Sequence, residues 1–183
     1  MTRIKETPLA GCYELSAIQH SDSRGSLSKL LDRSVSAACR MPAVWSELFF
    51  STSNTGVVRG LHFQCPPYAG AKLVSCTSGS AFDAVVDIRR DSPTFGQWHT
   101  VLLSENDGSA VFVPTGFAHG FQALSDRTVM LYLQEMPFDA TADAGIRFDS
   151  VGVAWPLPIA EVSPRDLQLP PLDAFRTPFI DRR

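Results

Sequence analysis

Short β-like segments, each ended by glycine, proline, asparagine or aspartate, restrict the fold of this chain more than any other feature. Ser78-Gly79 separates KLVSCT from SAFDAVVDI, and ENDG separates WHTVLLS from SAVFVP. Both junctions predict hairpins, and TVMLYLQEM predicts a further strand. Thirteen prolines disfavour long helices, and the one helix we predict lies in DRSVSAACRM, begun by Asp32 or Ser34. We therefore expect an all-β sandwich, jelly roll or barrel.

The size and charge of the chain indicate a single enzyme-sized domain without a nucleic-acid or membrane partner. Its 183 residues suffice for one domain with a substantial core. The net charge of −3, with no basic block, argues against nucleic acid. No apolar stretch has the length of a membrane span or the character of a signal peptide. The four cysteines lack metal-like spacing, so we expect free thiols in the cytoplasm.

The C-terminal part of the chain differs from the rest. WPLPIAEVSPRDLQLPPLDAF contains five prolines and no regular period. We expect it to wrap over the β-domain as an ordered segment.

Two strand segments carry polar residues in apolar surroundings. Tyr132 alternates onto one face with Met130 and Gln134, and Asp83 alternates onto one face with Val85. A barrel with a mixed interior would give this pattern. The structural alternatives are a core tyrosine with a satisfied hydroxyl and an exposed strand aspartate.

VVRGLHFQ poses a geometric question. Strict alternation places His62 and Gln64 on one face of the strand and Arg59 on the other. A site that used both Arg59 and His62 would need a bend or bulge, which Gly60 could supply.

The histidines do not form a metal pattern. PTGFAH, ending at His119, matches P-x-G-x-x-H, half of the metal-cupin pattern, but the other half reads His62-Phe63-Gln64 instead of H-x-H, with Lys72 further on. Zinc and iron require three or four His, Cys or carboxylate ligands. Two histidines accompanied by Lys72 and Arg59 favour an anion, so we expect a cupin-type barrel with neither metal nor cofactor.

The motifs together resemble one family. VVRGLHFQ, AKLV, FDAVVDIRRDSPTFGQW, VPTGFAHGF, LYL, GIRFDS and AWPL…SPRD closely resemble the dTDP-4-dehydrorhamnose 3,5-epimerase family from Asp22 onward. The resemblance implies an all-β, cupin-type jelly roll with a few short helices, usually a homodimer. It divides the single domain 1–183 into N-terminal strands with the dimer and nucleotide region (1–55), a barrel core (56–135) and a C-terminal segment (136–183).

The resemblance also implies the reaction. Such enzymes invert C3, C5 or both, next to the C4 ketone of a nucleotide-linked 4-keto-6-deoxyhexose, through an enolate. His62 matches the base, Asp166 the aspartate that holds it, Tyr132 the acid on the opposite face and Lys72 the cation beside the C4 oxygen. This division suits the chemistry, because histidine is a base near neutral pH.

Further matches concern substrate binding. Arg59 and His119 match residues of the sugar and phosphate region, and Arg24 matches a diphosphate-binding arginine. Asp83 matches an aspartate near the lysine, which it is expected to orient. We also expect Gln64 to bind the substrate, because it shares one face of the strand with His62.

The nucleotide end departs from the family pattern. Lys29 occupies the position at which the family has a glutamate that contacts the thymine edge. Glu47 occupies the position of a family glutamine, and His20 aligns with a family aromatic residue that stacks near the nucleotide. Pro137 and Phe138 replace two tyrosines. The Lys29 and Glu47 changes are either a charge swap around one base or a sign of another base, so dTDP is expected, with CDP or GDP as alternatives.

Two other functions remain open. A 3,4-ketoisomerase of the same cupin group would share the barrel but not the RGLHFQ…K and tyrosine set. A metal-binding or non-catalytic cupin is the other alternative. The joint presence of His62, Lys72, Tyr132 and Asp166 favours the epimerase.

Overall fold

The computed structural model describes residues 2–181, which form fourteen strands, two short α-helices and one 3₁₀ turn. The strands are β1 (Arg3–Glu6), β2 (Tyr13–Ser16), β3 (Gln19–Asp22), β4 (Gly25–Ser28), β5 (Glu47–Ser53), β6 (Val57–Gln64), β7 (Lys72–Ser78), β8 (Ser80–Asp87), β9 (Trp98–Ser104), β10 (Ser109–Val113), β11 (Phe117–Ala123), β12 (Thr128–Gln134), β13 (Asp143–Gly145) and β14 (Glu161–Val162). The helices are α1 (Arg33–Ala38) and α2 (Pro164–Leu167), and the 3₁₀ turn covers Leu172–Ala174.

Two sheets build the body of the molecule. The first has the order β1-β2-β10-β7-β12-β5, and the second has the order β13-β6-β11-β8-β9, with β14 added parallel to β6. β3 and β4 form a separate hairpin. Buried side chains from both large sheets pack in one cluster between them. This is the predicted jelly roll of the cupin type.

The two predicted hairpins do not exist as strand pairs. β7 pairs with β10 and β12, whereas β8 pairs with β9 and β11. The chain therefore crosses from the first sheet to the second at Gly79, and it crosses back between β9 and β10. The hairpin prediction was wrong because a glycine turn marks a reversal of the chain but does not determine which sheet the next strand joins.

Helix α1 covers the outer face of the first sheet. It begins at the predicted N-cap, where the Asp32 carboxylate accepts hydrogen bonds from the backbone N–H groups of Ser34 and Val35, at 2.9 and 3.1 Å. Val35 and Cys39 then pack against Leu73 of the sheet.

The C-terminal segment covers the outer face of the second sheet, as predicted. Leu61 of β6 and Val86 of β8 pack in one cluster with Trp155, Phe175 and Phe179. The central strands β8 and β11 of this sheet are therefore buried along most of their length. No helix in the described part of the chain is long and apolar enough to cross a membrane.

Candidate active site

One pocket of 480 Å³ brings together most of the predicted catalytic side chains. It is lined by residues of β5, β6, β7, β11 and β12 and by residues 161–166 of the C-terminal segment. Six predicted site residues line it, namely Arg59, His62, Lys72, His119, Tyr132 and Asp166.

The predicted bend in β6 is present at Gly60. His62 pairs with His119 of β11, and Arg59 pairs with Phe121, so three steps along β6 match two steps along β11. Gly60 has a φ of 130°, and a Cβ atom there would lie 2.6 Å from Cα of Gly120. The extra residue rotates the strand, which lets Arg59 and His62 face the same pocket.

Asp166, in helix α2 of the C-terminal segment, forms a hydrogen bond with the His62 ring. His62 Nε2 lies 2.7 Å from Asp166 Oδ1, and the Gly60 N–H donates to Oδ2 at 3.1 Å. Burial raises the pKa of the Asp166 carboxyl, but the bonds from His62 and Gly60 outweigh it and keep this pKa below its ordinary value. Asp166 is therefore a carboxylate at neutral pH. With Nε2–H donating to it, His62 Nδ1 keeps a lone pair that can accept a proton.

Arg165 is a pocket residue that sequence reasoning missed. Its Nη1 donates to Asp166 Oδ1 at 3.1 Å, and its Nη2 donates to Asp143 Oδ2 at 2.6 Å. An arginine in an aperiodic tail gives no pattern that would distinguish it from a solvated charge. Its position next to Asp166 in SPRD was the only available signal.

Lys72 begins β7 and contributes a cation to the pocket. Burial lowers the pKa of its ammonium to about 8, Asp143 opposes this change and Arg165 adds to it. The Lys72 ammonium makes no hydrogen bond to other described residues, so its three donors are available to a ligand.

Tyr132 lies between two aromatic rings. It pairs directly with Phe49 of β5, and the two rings stack with centroids 4.8 Å apart and an interplanar angle of 11°. His119 lies edge-on to Tyr132 at 6.1 Å. Burial raises the pKa of the Tyr132 phenol well above its ordinary value, and the Ser51 hydroxyl lowers it in part. The phenol is therefore a proton donor at neutral pH.

Phe49 and Ser51 were also missed by sequence reasoning. Both alternate onto the pocket side of β5 and line the pocket. ELFFSTS shows no polar–apolar alternation, and only the pairing of β5 with β12 reveals which of its residues face Tyr132.

Asp83 is buried and contacts a different residue from the one predicted. Its side chain is fully buried, which rules out the exposed-strand alternative, and its Oδ2 lies 2.7 Å from Nε2 of His119. We predicted that Asp83 would lie near Lys72 and orient it, but its hydrogen-bond partner is His119. The reason is the strand register: His119 of β11 lies opposite Val85 of β8, so Asp83 is its diagonal neighbour.

Arg59 is anchored to β5. Its Nε donates to Ser53 Oγ at 2.9 Å, and its Nη2 donates to the carbonyl of Thr52 at 3.1 Å. Because a guanidinium has five N–H donors, those not used by described residues can still bind an anion.

Gln64 lies outside the pocket lining. Strict alternation predicted that it would share the face of His62 and contact the substrate. Instead its amide donates to the carbonyls of Tyr68 and Pro137 and accepts from the N–H of Asp139. These backbone groups satisfy the buried amide, so Gln64 stabilises the loop after β12.

The residues predicted for the nucleotide lie in two other depressions or on the surface. Glu47 and Phe138 line a 630 Å³ depression that shares Phe49 with the main pocket. Glu47 Oε1 accepts the Phe138 N–H at 3.0 Å. Lys29, together with His20, lines a separate depression of 250 Å³ near the N-terminus.

Arg24 is the remaining predicted binding residue. It lies exposed in the turn between β3 and β4, where its guanidinium pairs with Asp22 at 2.6 Å. Among the residues that the structure describes, no group of three His, Cys, Asp or Glu side chains could hold a metal ion.

Comparisons with known proteins agree with the family resemblance of the motifs. The family model described as dTDP-4-dehydrorhamnose 3,5-epimerase matches residues 6–174. The dTDP-4-dehydrorhamnose 3,5-epimerase of Mycobacterium tuberculosis is 37% identical over 180 residues, which cover 95% of this chain and 89% of that protein. The dTDP-4-dehydrorhamnose 3-epimerase of Streptomyces niveus is 34% identical over 168 residues, which cover 90% and 81%.

A solved structure gives the same assignment for the fold. The dTDP-6-deoxy-D-glucose-3,5-epimerase of Legionella pneumophila, in complex with dTDP-4-keto-L-rhamnose, superposes with a TM-score of 0.91. It is 30% identical, and the match covers 96% of this chain and 95% of that one. The sequence resemblance, the jelly-roll fold and the predicted enzyme class, a carbohydrate epimerase, are thereby confirmed. The chain belongs to the dTDP-4-dehydrorhamnose 3,5-epimerase family.

Proposed function

We propose that the chain inverts C3, C5 or both of a dTDP-linked 4-keto-6-deoxyhexose, with His62 as base and Tyr132 as acid. The observation that carries this proposal is the convergence of the His62–Asp166 pair, Lys72 and Tyr132 on one pocket. Inversion next to a ketone requires a base, an acid on the opposite face and a group that stabilises the enolate, and the His62, Tyr132 and Lys72 side chains can supply these three functions.

His62 begins the reaction. Its Nδ1 takes the proton from the carbon next to the ketone, and the C–H electron pair passes into the enolate. Asp166, at 2.7 Å from Nε2, stabilises the imidazolium that forms and keeps the ring in the correct tautomer.

Lys72 stabilises the enolate. A pKa of about 8 leaves its ammonium mostly charged at neutral pH, while its partial burial strengthens its attraction for the oxygen at C4. Removal of one such donor typically raises a barrier by about 2.7–4 kcal/mol.

Tyr132 completes the inversion. Its O–H bond breaks as a C–H bond forms on the other face of the sugar, and the O–H electron pair stays on the phenolate. Solvent then returns a proton to Tyr132 and removes one from His62, so the cycle involves no net oxidation or reduction.

Arg59 and His119 are proposed to bind the sugar and phosphate end of the substrate. Arg59 retains unused donors at the pocket, and Asp83 orients His119 through the 2.7 Å bond. The dTDP-4-keto-L-rhamnose complex of the Legionella pneumophila relative supports dTDP as the nucleotide.

A homodimer is part of this proposal. β5 is an edge strand, and Leu48 and Phe50 on it are 64% and 69% exposed. A second copy would cover this apolar edge, and its N-terminal region would supply Arg24 and Lys29, which lie away from the pocket of their own chain. Light scattering of the purified protein tests this, since a monomer would contradict it.

We further propose a cytoplasmic location for the enzyme. All four cysteines are free, and three of them are buried. Unpaired thiols of this kind are typical of a reducing compartment.

An exchange experiment in D₂O tests the function. The protein is incubated with dTDP-, CDP- and GDP-linked 4-keto-6-deoxyhexoses, and deuterium at C3 and C5 is followed by NMR together with the configuration of each carbon. We expect exchange with inversion of the dTDP sugar, and one labelled carbon would identify a mono-epimerase. Exchange at neither carbon with any of the three sugars contradicts the proposal.

Two controls separate the alternatives. The His62→Ala variant should lose exchange, and full activity in it would refute the assigned base. Activity that a chelator abolishes would favour a metal cupin, and formation of a 3-keto sugar would favour the 3,4-ketoisomerase.

A further inference from the structure

Two buried side-chain oxygens make no hydrogen bond to other described residues, and both belong to the surroundings of Tyr132. They are Ser51 Oγ and Asp83 Oδ1. Buried polar atoms almost always have a partner. A buried hydroxyl without one, at the edge of a pocket, therefore indicates a bond that forms in another state of the site.

Strand register places Ser51 beside Tyr132. Phe49 lies directly opposite Tyr132, and Ser51 lies directly opposite Met130, two positions along the same face of β5. Ser51 is therefore the diagonal neighbour of Tyr132, at a distance that side chains on adjacent strands can bridge. Both residues line the pocket.

Proton transfer changes what Tyr132 needs from its surroundings. The neutral phenol carries little charge, but the phenolate left after transfer is a full anion in a buried position. Burial is the main cause that raises the pKa of Tyr132, and the Asp83 carboxylate raises it further, so both disfavour that anion. The Ser51 hydroxyl and, to a smaller extent, the Arg59 guanidinium lower this pKa and so favour the anion.

Two nearby basic side chains use part of their donors on the protein itself. His119 uses Nε2 for Asp83, and Arg59 uses Nε and Nη2 for β5. The hydroxyl of Ser51 is buried and uncommitted, so it can rotate toward the phenolate without breaking an existing bond.

We propose that Ser51 is a positioning residue for Tyr132, which rests on the function proposed above: its hydroxyl donates to the phenolate oxygen that forms when Tyr132 protonates the enolate. The interaction is stronger after proton transfer than before it, so it lowers the barrier of the second half of the reaction. It leaves proton removal by His62 unchanged.

The test separates the two halves of the reaction. In D₂O, His62 can return deuterium to the face it took hydrogen from, which gives exchange with retention, whereas Tyr132 gives inversion. In Ser51→Ala we expect the rate of inversion to fall about tenfold or more. Exchange with retention should persist, so the ratio of exchange to inversion rises by about the same factor, with little change in KM. Ser51→Thr, which keeps the hydroxyl, should restore the wild-type ratio.

Ser75→Ala is the matched control. Ser75 is also a buried strand serine of the first sheet, but its Oγ already donates to the carbonyl of Ser109 at 2.7 Å. It should lose stability and keep the wild-type ratio. If Ser51→Ala does not fold, Ser51→Cys keeps the size of the side chain with a weaker donor and should also raise the ratio.

Three results would overturn the inference. An unchanged ratio in Ser51→Ala with an active wild type would exclude the role. A raised KM with an unchanged ratio would mean that Ser51 contacts the substrate directly. Equal loss of exchange and inversion would mean that Ser51 is only structural. A wild-type protein that shows no exchange refutes the proposed function itself, and the inference falls with it.

Discussion

Arg59 and His62 face the same pocket because β6 contains one residue more than β11 over the stretch between them. His62 lies opposite His119, and Arg59 lies opposite Phe121, although strict alternation would separate Arg59 and His62 onto different faces. The positions of the proposed anion-binding residue and of the proposed base therefore depend on one local irregularity of the sheet.

Substitution of Gly60 should break this arrangement. In Gly60→Ala the new Cβ would lie 2.6 Å from Cα of Gly120, in a backbone with φ of 130°. We expect a loss of about 3 kcal/mol or more in the free energy of unfolding, from the unfavourable backbone and the overpacking together. Urea denaturation measures the stability, and the D₂O assay should show little exchange.

Gly25→Ala is the control for the backbone contribution alone. Gly25 has a φ of 124°, but an added Cβ would meet nothing within 4 Å. This variant should lose only about 1–2 kcal/mol. Equal losses in the two variants would show that crowding at Gly120 is not important.

Removal of the Asp166 charge should lower the activity of the proposed base while the protein stays folded. In Asp166→Asn the His62 ring loses the carboxylate at 2.7 Å that fixes its tautomer. We expect kcat to fall by about 10³–10⁴, as for other His–Asp pairs. Steady-state kinetics check this, with circular dichroism to show that the variant is folded. A loss of less than about tenfold would mean that Asp166 does not support the base.

The charged Lys72 ammonium should lower the free energy of unfolding and increase the rate of the reaction. Burial lowers the pKa of its ammonium to about 8, so the folded state binds its proton less tightly than the unfolded chain does. Stability should therefore rise with pH from this value toward the ordinary lysine value of 10.5. Activity should decline above a pH of about 8, because the neutral amine stabilises an enolate poorly.

Lys72→Met tests both effects at once. At neutral pH it should melt at a higher temperature than the wild type while losing about 10²–10³ in kcat. Differential scanning calorimetry and the D₂O assay make the two measurements. A variant that melts lower would show that the ammonium is stabilising where it lies.

Asp87 should make stability depend on pH under acidic conditions. Burial raises the pKa of its carboxyl, but hydrogen bonds from Arg89, Ser92 and Thr94 outweigh this and hold it below the ordinary 3.8. The stability that Asp87 contributes is therefore complete above about 3.8 and is lost as the pH falls through the lower folded value.

Asp87→Asn measures this contribution. At neutral pH we expect a loss of about 3 kcal/mol, because the Arg89 guanidinium, whose side chain is 12% exposed, would lose its closer carboxylate and keep only Asp181, at 3.9 Å. Denaturant unfolding at a series of pH values should show the difference from wild type shrinking below about 3.8. A difference independent of pH would mean that the carboxylate charge is not the stabilising element.

The sequence was sufficient where the chemistry is local. Asp32 caps α1 through N–H groups two and three residues away, and the need for a bend at Gly60 followed from alternation along one strand. His62, Lys72 and Tyr132, which line one pocket, could be singled out because each lies within a specific motif.

Prediction failed where a side chain is defined by a neighbouring strand. Asp83 forms a hydrogen bond with His119 instead of orienting Lys72. The Gln64 amide donates to a backbone carbonyl in a loop 73 residues further along the chain. Phe49 and Arg165 become recognisable only through the pairing of β5 with β12 and the docking of the C-terminal segment. Non-local register of this kind is not encoded in any short window of sequence.

Asp166 reaches the pocket from the wrapping segment, far along the chain from the other proposed catalytic residues. Residues that line the pocket from β5 to β12 lie within the first 134 positions, whereas the carboxylate beside His62 comes from α2, which follows β14. A nascent chain that has been synthesised only to residue 134 therefore holds the proposed base without its carboxylate. On the proposed mechanism, such an unfinished chain would not yet turn over the keto sugar.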